Sequence, residues 1–286
     1  MSIQIGIIGA GKVGSTMGKY ITEHGGSVSG FYSRTTDSAK EAAQFCNTNY
    51  FLTLDSLIEV SDTLFITTPD GEIKKVWDCI ATKNVNGKVV GHFSGSLSSD
   101  IFSNSEGTGA YVCSIHPIYA FSNKFTAYYN LTEAMFTVEG DDMALKQIQK
   151  LFCLLPNHVI QIATNAKTKY HAAASIASNH VTGLIAMSVE LMQEAGIEES
   201  VAYEMLKPLV LNNMNTIFAQ GCVEALTGPI ERGDEETVRN HLTSLSQKNQ
   251  QMAYQAVGLL VTKLAKIKHP DRKFDSMEQL LKEECK

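Results

Sequence analysis

The chain has 286 residues, of which 44% are hydrophobic and 19% charged, with a formal net charge of −6. That is enough for one large or two medium folded domains. A negative balance without runs of like charge excludes the clustered Lys and Arg that nucleic-acid or anionic-membrane binding needs, so small-molecule ligands are expected.

The first predicted strand is the apolar run Ile3, Ile5, Ile7, Ile8, which leads into Gly9-Ala10-Gly11-Lys12-Val13-Gly14 and a predicted helix from Lys12 to His24. In a G-x-G-x-x-G at this place the first glycine makes the tight turn, the second lets backbone approach a pyrophosphate, and the third lets helix pack on strand. The phosphates then rest on the free amides of the helix N-terminus. A second strand, Ser27 to Tyr32, completes a βαβ unit and ends at Ser33-Arg34-Thr35. A site for NAD usually carries a carboxylate here to bond the ribose 2′-hydroxyl. An arginine and two hydroxyls suit a 2′-phosphate instead, which predicts NADP(H); the alternative for Arg34 is a surface arginine at a strand end.

Strands and helices go on alternating, as in a doubly wound, mainly parallel sheet. Leu64 to Thr67 reads as a strand closed by Thr68-Pro69, with Asp70 or Gly71 capping a helix from Glu72 to Thr82. Lys88 to Phe93 is the next strand, ending at Ser94-Gly95-Ser96, and Ala110 to Ile115 the one after, ending at His116-Pro117. Ligands of such sheets bind beyond the carboxyl ends of the strands, so Thr68, Pro69, Ser94, Gly95 and His116 are expected around one crevice floored by Gly9–Gly14. Strands Ala134–Val138 and His158–Ile162, flanking a helix from Asp142 to Leu155, complete the α/β domain at residue 164.

From Asn165 the pattern becomes all-helical, which places a second domain at 165–286. Asn165 to Ala195 holds no proline and one glycine, and Gly196 stands as a C-terminal stop, so a helix of about 46 Å is expected. Ser175, Ser178, Asn179, His180 and Glu190 interrupt its apolar character, so it reads as the buried spine of the second domain and not as a membrane span. His171, Ser175, Asn179 and Thr182 follow at i, i+4, i+8 and i+11, one face of a regular helix; they either line a cavity between the domains or bond to neighbouring helices. Further helices are predicted over Leu209–Gln220, Glu235–Gln247 with Asp234 as cap, and Asn249–Lys266, and the charged residues from His269 read as peripheral.

Six cysteines, Cys46, Cys79, Cys113, Cys153, Cys222 and Cys285, are scattered without a CxxC pair or Cys/His cluster, so reduced thiols and no metal site are expected. No secretory signal precedes the first strand, and a cytoplasmic location is expected.

The segments GIIGAGKVG (6–14), SRT (33–35), TTPD (67–70), HFSGSLSSD (92–100), HP (116–117), YHAAASIASNH (170–180) and LTGPIERGD (226–234) span most of the chain. On them the chain resembles the Rossmann-like proteins that carry a C-terminal domain of unknown function, DUF2520. These are relatives of pyrroline-5-carboxylate reductase, ketopantoate reductase, and the 6-phosphogluconate and 3-hydroxyisobutyrate dehydrogenases. The resemblance implies an NADP-binding Rossmann domain, an all-α domain like the C-terminal one of 6-phosphogluconate dehydrogenase that commonly dimerises, and oxidoreductase activity without a settled substrate.

In the hydroxyacid dehydrogenases a catalytic Lys and an Asn lie one turn apart on the first long helix of the second domain. Here Lys167 is followed by His171 and Lys169 by Ala173, so that pair is absent. The expected reaction passes hydride between nicotinamide and a small carbonyl or imine, with His171 moving the proton and Ser175, Asn179 and His116 orienting the substrate. His116 either stands near the nicotinamide or bonds loop backbone. Arg232 either clamps a substrate carboxylate or pairs with Glu231 or Glu235. The alternative to an enzyme is a protein that senses NADP(H) without turnover.

Overall fold

The computed structural model describes residues 2–283. The chain folds as two compact units that divide between Ser178 and Asn179, inside the long helix and not ahead of it at residue 164. The first unit holds an eight-stranded sheet of order β3-β2-β1-β4-β5-β6-β7-β8, built from β1 (Gln4–Ile8), β2 (Ser27–Tyr32), β3 (Asn49–Tyr50), β4 (Thr63–Ile66), β5 (Val89–His92), β6 (Tyr111–Pro117), β7 (Phe136–Gly140) and β8 (Val159–Gln161). Pairing is parallel throughout except between β6 and β7. Strand order reverses between β1 and β4, the switch point at which such sheets place their ligands.

The intervening helices are α1 (Lys12–Glu23), α2 (Thr36–Cys46), α3 (Leu54–Glu59), α4 (Asp70–Ile80), α5 (Ser105–Thr108) and α6 (Asp142–Phe152). They cover two apolar layers, one centred on Ile5, Ile7, Phe31, Phe65, Ile115 and Phe136, the other on Ile8, Leu64, Ile66, Val90, Val112 and Trp77. The predicted strands are all present, displaced by a residue or two at their ends. The expected cap of α4 is not. The helix begins at Asp70 itself with Pro69 at the N-cap position, because the Asp70 carboxylate accepts hydrogen bonds from Ser94 and Ser96 Oγ, both at 2.8 Å.

The long helix is a composite: α7 (Lys167–Ser175), a π-helical turn over Ile176–His180, and α8 (Val181–Glu194). A π turn closes i to i+5 bonds and takes up an extra residue, so the single face counted from His171 and Ser175 to Asn179 and Thr182 is broken at Ile176. Nor is this helix a buried spine: only 6% of its most apolar 18-residue window is buried, and by length and composition, with a mean hydropathy of 1.2 in that window, Thr164–Glu194 is long and apolar enough to cross a membrane.

The second unit is helical, with α9 (Glu199–Gln220), α10 (Cys222–Ala225), α11 (Pro229–Arg232), α12 (Glu235–Ser244), α13 (Lys248–Lys268) and α14 (Asp275–Lys282) following α8. The helix predicted to begin after Pro208 runs through it, so the carbonyl one turn earlier loses its amide partner. Asp234 caps α12 as expected, accepting from the Thr237 amide at 3.1 Å. The residues beyond His269 are not peripheral. Phe274, Met277, Leu280 and Leu281 are buried and form the core of this unit with Ile230, Val238, Leu242 and Ala265, because α14 carries its apolar residues at helical spacing.

Candidate active site

Two sites lie at the carboxyl end of the sheet in the first unit. The first is a cavity of about 560 Å³ lined by Gly9, Ala10, Gly11, Ser33, Arg34, Thr35, Thr68 and Pro69, with Tyr32, Ser38, Thr67, Glu72, Lys75, Val76 and Cys79 among its other walls. The glycines meet their three expected demands. Gly9 has φ of +109°, a conformation that L side chains rarely adopt; a β-carbon on Gly11 would meet open space; one on Gly14 would run into the Gly9 carbonyl oxygen and Thr67 Oγ1. Thr67 Oγ1 also donates to the Gly9 carbonyl at 2.8 Å, fixing the turn against β4.

Thr68 Oγ1 is buried and has no hydrogen-bond partner. The open face at Gly11, the orphaned hydroxyl and the exposed guanidinium of Arg34 together fit a dinucleotide, with its pyrophosphate on the glycine turn and the N-terminus of α1 and its adenosine ribose beside Ser33, Arg34 and Thr35. Lys12, Val13 and Gly14 belong to the turn without lining the cavity. Glu72, which is paired with Lys75 at 2.8 Å, is held below the usual carboxylate range by Lys75 and, more weakly, by Arg34.

The second site is a polar layer set into the sheet. His92 pairs with Ser114, Ser114 with Glu139, and His116 with Thr137, so all five share the face that carries Val90 and Val112. The first turn of α7 covers them with Lys167, Tyr170 and His171, which stand at i, i+3 and i+4 and so project from one side.

His92, Glu139, Lys167 and His116 each have a definite partner. His92 is fully buried. Its Nδ1 accepts from the Ser94 amide at 3.1 Å and its Nε2 donates to the Ser98 carbonyl at 3.2 Å, which requires the neutral tautomer protonated on Nε2. Burial pushes its pKa down to about 4. Glu139 accepts from the amide of Ser99 at 2.8 Å and from its hydroxyl at 2.7 Å. Lys167, 1% exposed, donates to Ser114 Oγ at 2.6 Å. Burial lowers its pKa to about 8, against the opposing pull of Glu139, Cys113 and Asp70. His116 Nδ1 lies 2.8 Å from the Tyr170 hydroxyl. Burial, then the Lys167 charge and His171, push its pKa down to about 4.

His116 and His171 meet ring to edge, with centroids 6.0 Å apart and planes at 82°. Both point at Gly95: a β-carbon there would stand 2.5 Å from His171 Nδ1 and 2.7 Å from His116 Nε2. His171 Nδ1 is buried and unpartnered. The structure thus joins His116 and His171 beside Gly95, and neither Ser94 nor Gly95 lines the cavity at the glycine turn. Ser94 Oγ accepts from the amides of Ser96 and Leu97 and ties the loop to Asp70.

Ser175 is the last residue of α7, whereas Asn179 and Arg232 belong to the second unit. Among the described residues Arg232 makes no ion pair: Glu231 pairs with His269, and Glu235 accepts from Ser276. Sequence reasoning missed Lys167, Tyr170, Ser114, Glu139, His92 and Asp70. A signal was present for part of the layer, because Ser114-Ile115-His116 and Thr137-Val138-Glu139 each put polar residues at every second position of a strand.

A mainly parallel, doubly wound sheet with a glycine turn at its switch point, followed by a helical unit, is the class of protein these observations define. Residues 1–117 match the Rossmann-like domain and residues 134–261 match DUF2520, a domain of unknown function. The chain is a Rossmann-like, DUF2520-containing protein, and the second match begins at Ala134, inside the sheet, ahead of the helical unit. Its fold is similar to that of a candidate NADP oxidoreductase from Bacteroides fragilis (23% identity, 94% of this chain and 98% of that chain, TM-score 0.68). It is also similar to a protein from Thermotoga maritima (25%, 93% and 99%, TM-score 0.74) and to an imine reductase from a Pseudomonas species (15%, 98% and 92%, TM-score 0.61). Among curated proteins nothing matches the sequence.

Proposed function

We propose that the protein is an NADP(H)-dependent oxidoreductase acting on a small carbonyl or imine. The observation that carries this reading is the cavity lined by a glycine turn, an orphaned Thr68 hydroxyl and Arg34 between the hydroxyls of Ser33 and Thr35. The names of the similar structures, an NADP oxidoreductase and an imine reductase, support it. The cofactor, when bound, supplies or accepts the hydride. The chain's own part is to bind the pyrophosphate on the glycine turn, to hold the 2′-phosphate with Ser33, Arg34 and Thr35, and to exchange a proton at His171 while His116 orients the reacting group.

Titration with NADPH and NADH, followed by NADPH oxidation over a panel of keto acids and cyclic imines, tests the reading. Tighter binding of NADPH and turnover of one panel member are expected. Equal affinity for the two cofactors would overturn the NADP assignment, and binding without turnover across the panel would leave a sensor of NADP(H). A cytosolic location with reduced thiols belongs to the same reading. So does a homodimer through the helical unit, supported by apolar side chains left exposed there, such as Leu209 (67%) and Phe218 (87%).

A further inference from the structure

Tyr170 stands between the histidine pair and the sheet. Its hydroxyl lies 2.8 Å from His116 Nδ1, and its ring meets the imidazole ring to edge, with centroids 5.6 Å apart and planes at 84°. Thr137 is the cross-strand neighbour of His116 and shares its face of the sheet. It is 4% exposed, its hydroxyl closes no other hydrogen bond, and it lies against the Tyr170 hydroxyl. Three polar groups therefore meet in order: Thr137 Oγ1, Tyr170 Oη and His116 Nδ1.

The protons available to this row fix its direction. Each hydroxyl has one proton to give and lone pairs to accept with, whereas a neutral imidazole carries its proton on one nitrogen and accepts at the other. If Thr137 donates to Tyr170 and Tyr170 donates to His116 Nδ1, both hydroxyl protons are used. The reverse order, from His116 Nδ1–H through Tyr170 to Thr137, strands the Thr137 proton in the sheet, since Thr137 has no other acceptor among the described residues. A buried donor left unsatisfied is the costlier arrangement. With Nδ1 accepting, the imidazole proton stands on Nε2, the atom that faces the Gly95 position beside His171 Nδ1. Burial holds the ring's pKa down at about 4, so one proton and not two is present at neutral pH.

We infer that Tyr170 is a positioning residue: backed by Thr137, it holds His116 as the Nε2–H tautomer, so that His116 offers a hydrogen-bond donor to the group that arrives beside His171. The inference deepens the oxidoreductase reading and rests on it for its catalytic meaning, whereas the tautomer itself does not. A carbonyl oxygen has a lone pair to accept from that donor, and a protonated imine nitrogen has none. Of the two substrate classes the carbonyl is the one this donor fits, with His116 polarising the C=O bond.

The test is nitrogen-15 nuclear magnetic resonance of the full-length protein, labelled at histidine, without cofactor and at about pH 8, above the ordinary imidazole range. Long-range proton–nitrogen correlations distinguish a ring nitrogen that carries a proton from one that does not, and the His116 signals are identified by their loss in His116→Gln. In the native protein Nε2 should carry the proton and Nδ1 should be the accepting nitrogen. In Tyr170→Phe, which removes only the hydroxyl, the Nδ1 resonance should move toward that of an imidazole nitrogen with a free lone pair.

A proton on Nδ1 in the native protein would overturn the inference, and so would an unmoved Nδ1 resonance in a folded Tyr170→Phe. If that variant does not fold, the native protein decides: an Nδ1 resonance displaced from the free lone-pair position supports the bond from Tyr170, and one at that position overturns it. None of these readouts depends on NADPH or turnover. In the panel of keto acids and cyclic imines, turnover of a keto acid is expected, and turnover of imines alone would overturn the carbonyl assignment. Absence of any turnover would count against the oxidoreductase reading and leave the tautomer standing.

Discussion

Gly95→Ala is the sharpest perturbation of the histidine pair. The added β-carbon would stand 2.5 Å from His171 Nδ1, 2.7 Å from His116 Nε2 and 2.9 Å from His171 Cε1, all inside van der Waals contact, and His116 cannot yield freely because Tyr170 holds its Nδ1. Gly95 is not in the left-handed region, so the cost is steric. Overpacking of this kind costs about 1–3 kcal/mol, which lowers the melting temperature by several degrees in a domain of this size. The displaced rings should cost about a hundredfold in turnover, as misplacement of reacting groups by about 1 Å does. NADPH affinity should hold, because Gly95 does not line the dinucleotide cavity. Thermal melts, His ring resonances and NADPH titration measure the three effects, with Gly107→Ala as control, since a β-carbon there meets nothing within 4 Å. Native stability together with unmoved His116 and His171 resonances in Gly95→Ala would refute the argument.

Arg34→Ala should weaken NADPH by about 1.5–3 kcal/mol, the range of a charge-assisted hydrogen bond, and leave NADH almost untouched; calorimetric titration of both cofactors reads the difference. His171→Ala should lower turnover by about 10² to 10⁴ with NADPH affinity nearly unchanged, and near-native rates in both it and His171→Asn would make the residue structural. Light scattering at micromolar concentration should give the mass of a dimer, and a charge placed at Phe218, 87% exposed, should shift it toward the monomer. For pH, His92 is neutral and buried with its pKa pushed down to about 4. The unfolded chain takes up a proton at this residue from about pH 6.5 downward while the folded chain does not, so stability is full above 6.5 and falls as the pH drops toward 4, by on the order of 3 kcal/mol. Denaturation at pH 7 and pH 5 should show about 2 kcal/mol of that loss from His92 and a similar amount from His116, whose pKa is also pushed down to about 4, and His92→Asn should remove its share and leave the other.

The glycine turn was legible because its constraint is local. A turn, an open approach and a close packing contact each need glycine at a fixed spacing, and Gly9, Gly11 and Gly14 meet those needs in turn. The histidine site was half legible. Strand ends pointed to His116 and Gly95, and the small-residue helix pointed to His171, but the stripe drawn onward to Asn179 and Thr182 assumed 3.6 residues per turn through Ile176–His180, where the backbone is π-helical. Lys167 was passed over because its value lies in burial against Ser114, a contact between residues 53 apart that no spacing along the chain reveals. The core role of Phe274, Met277, Leu280 and Leu281 was hidden by the charged residues around them, although their spacing is helical.

What separates this polar layer from an ordinary buried network is where its bonding is incomplete. A structural network of buried polar groups gains nothing from an open valence, since each one costs about 1–3 kcal/mol. Among the described residues three buried side-chain atoms lack a partner: Thr68 Oγ1, Thr137 Oγ1 and His171 Nδ1. Thr68 lines the cavity at the glycine turn and His171 Nδ1 faces Gly95, whereas Thr137 lies against the Tyr170 hydroxyl. Two of the three thus stand one at each site, while His92, Glu139 and Lys167 are satisfied. That distribution is what a preorganised ligand site requires: a frame whose own valences are closed, and a few open ones where the ligand's polar atoms must arrive.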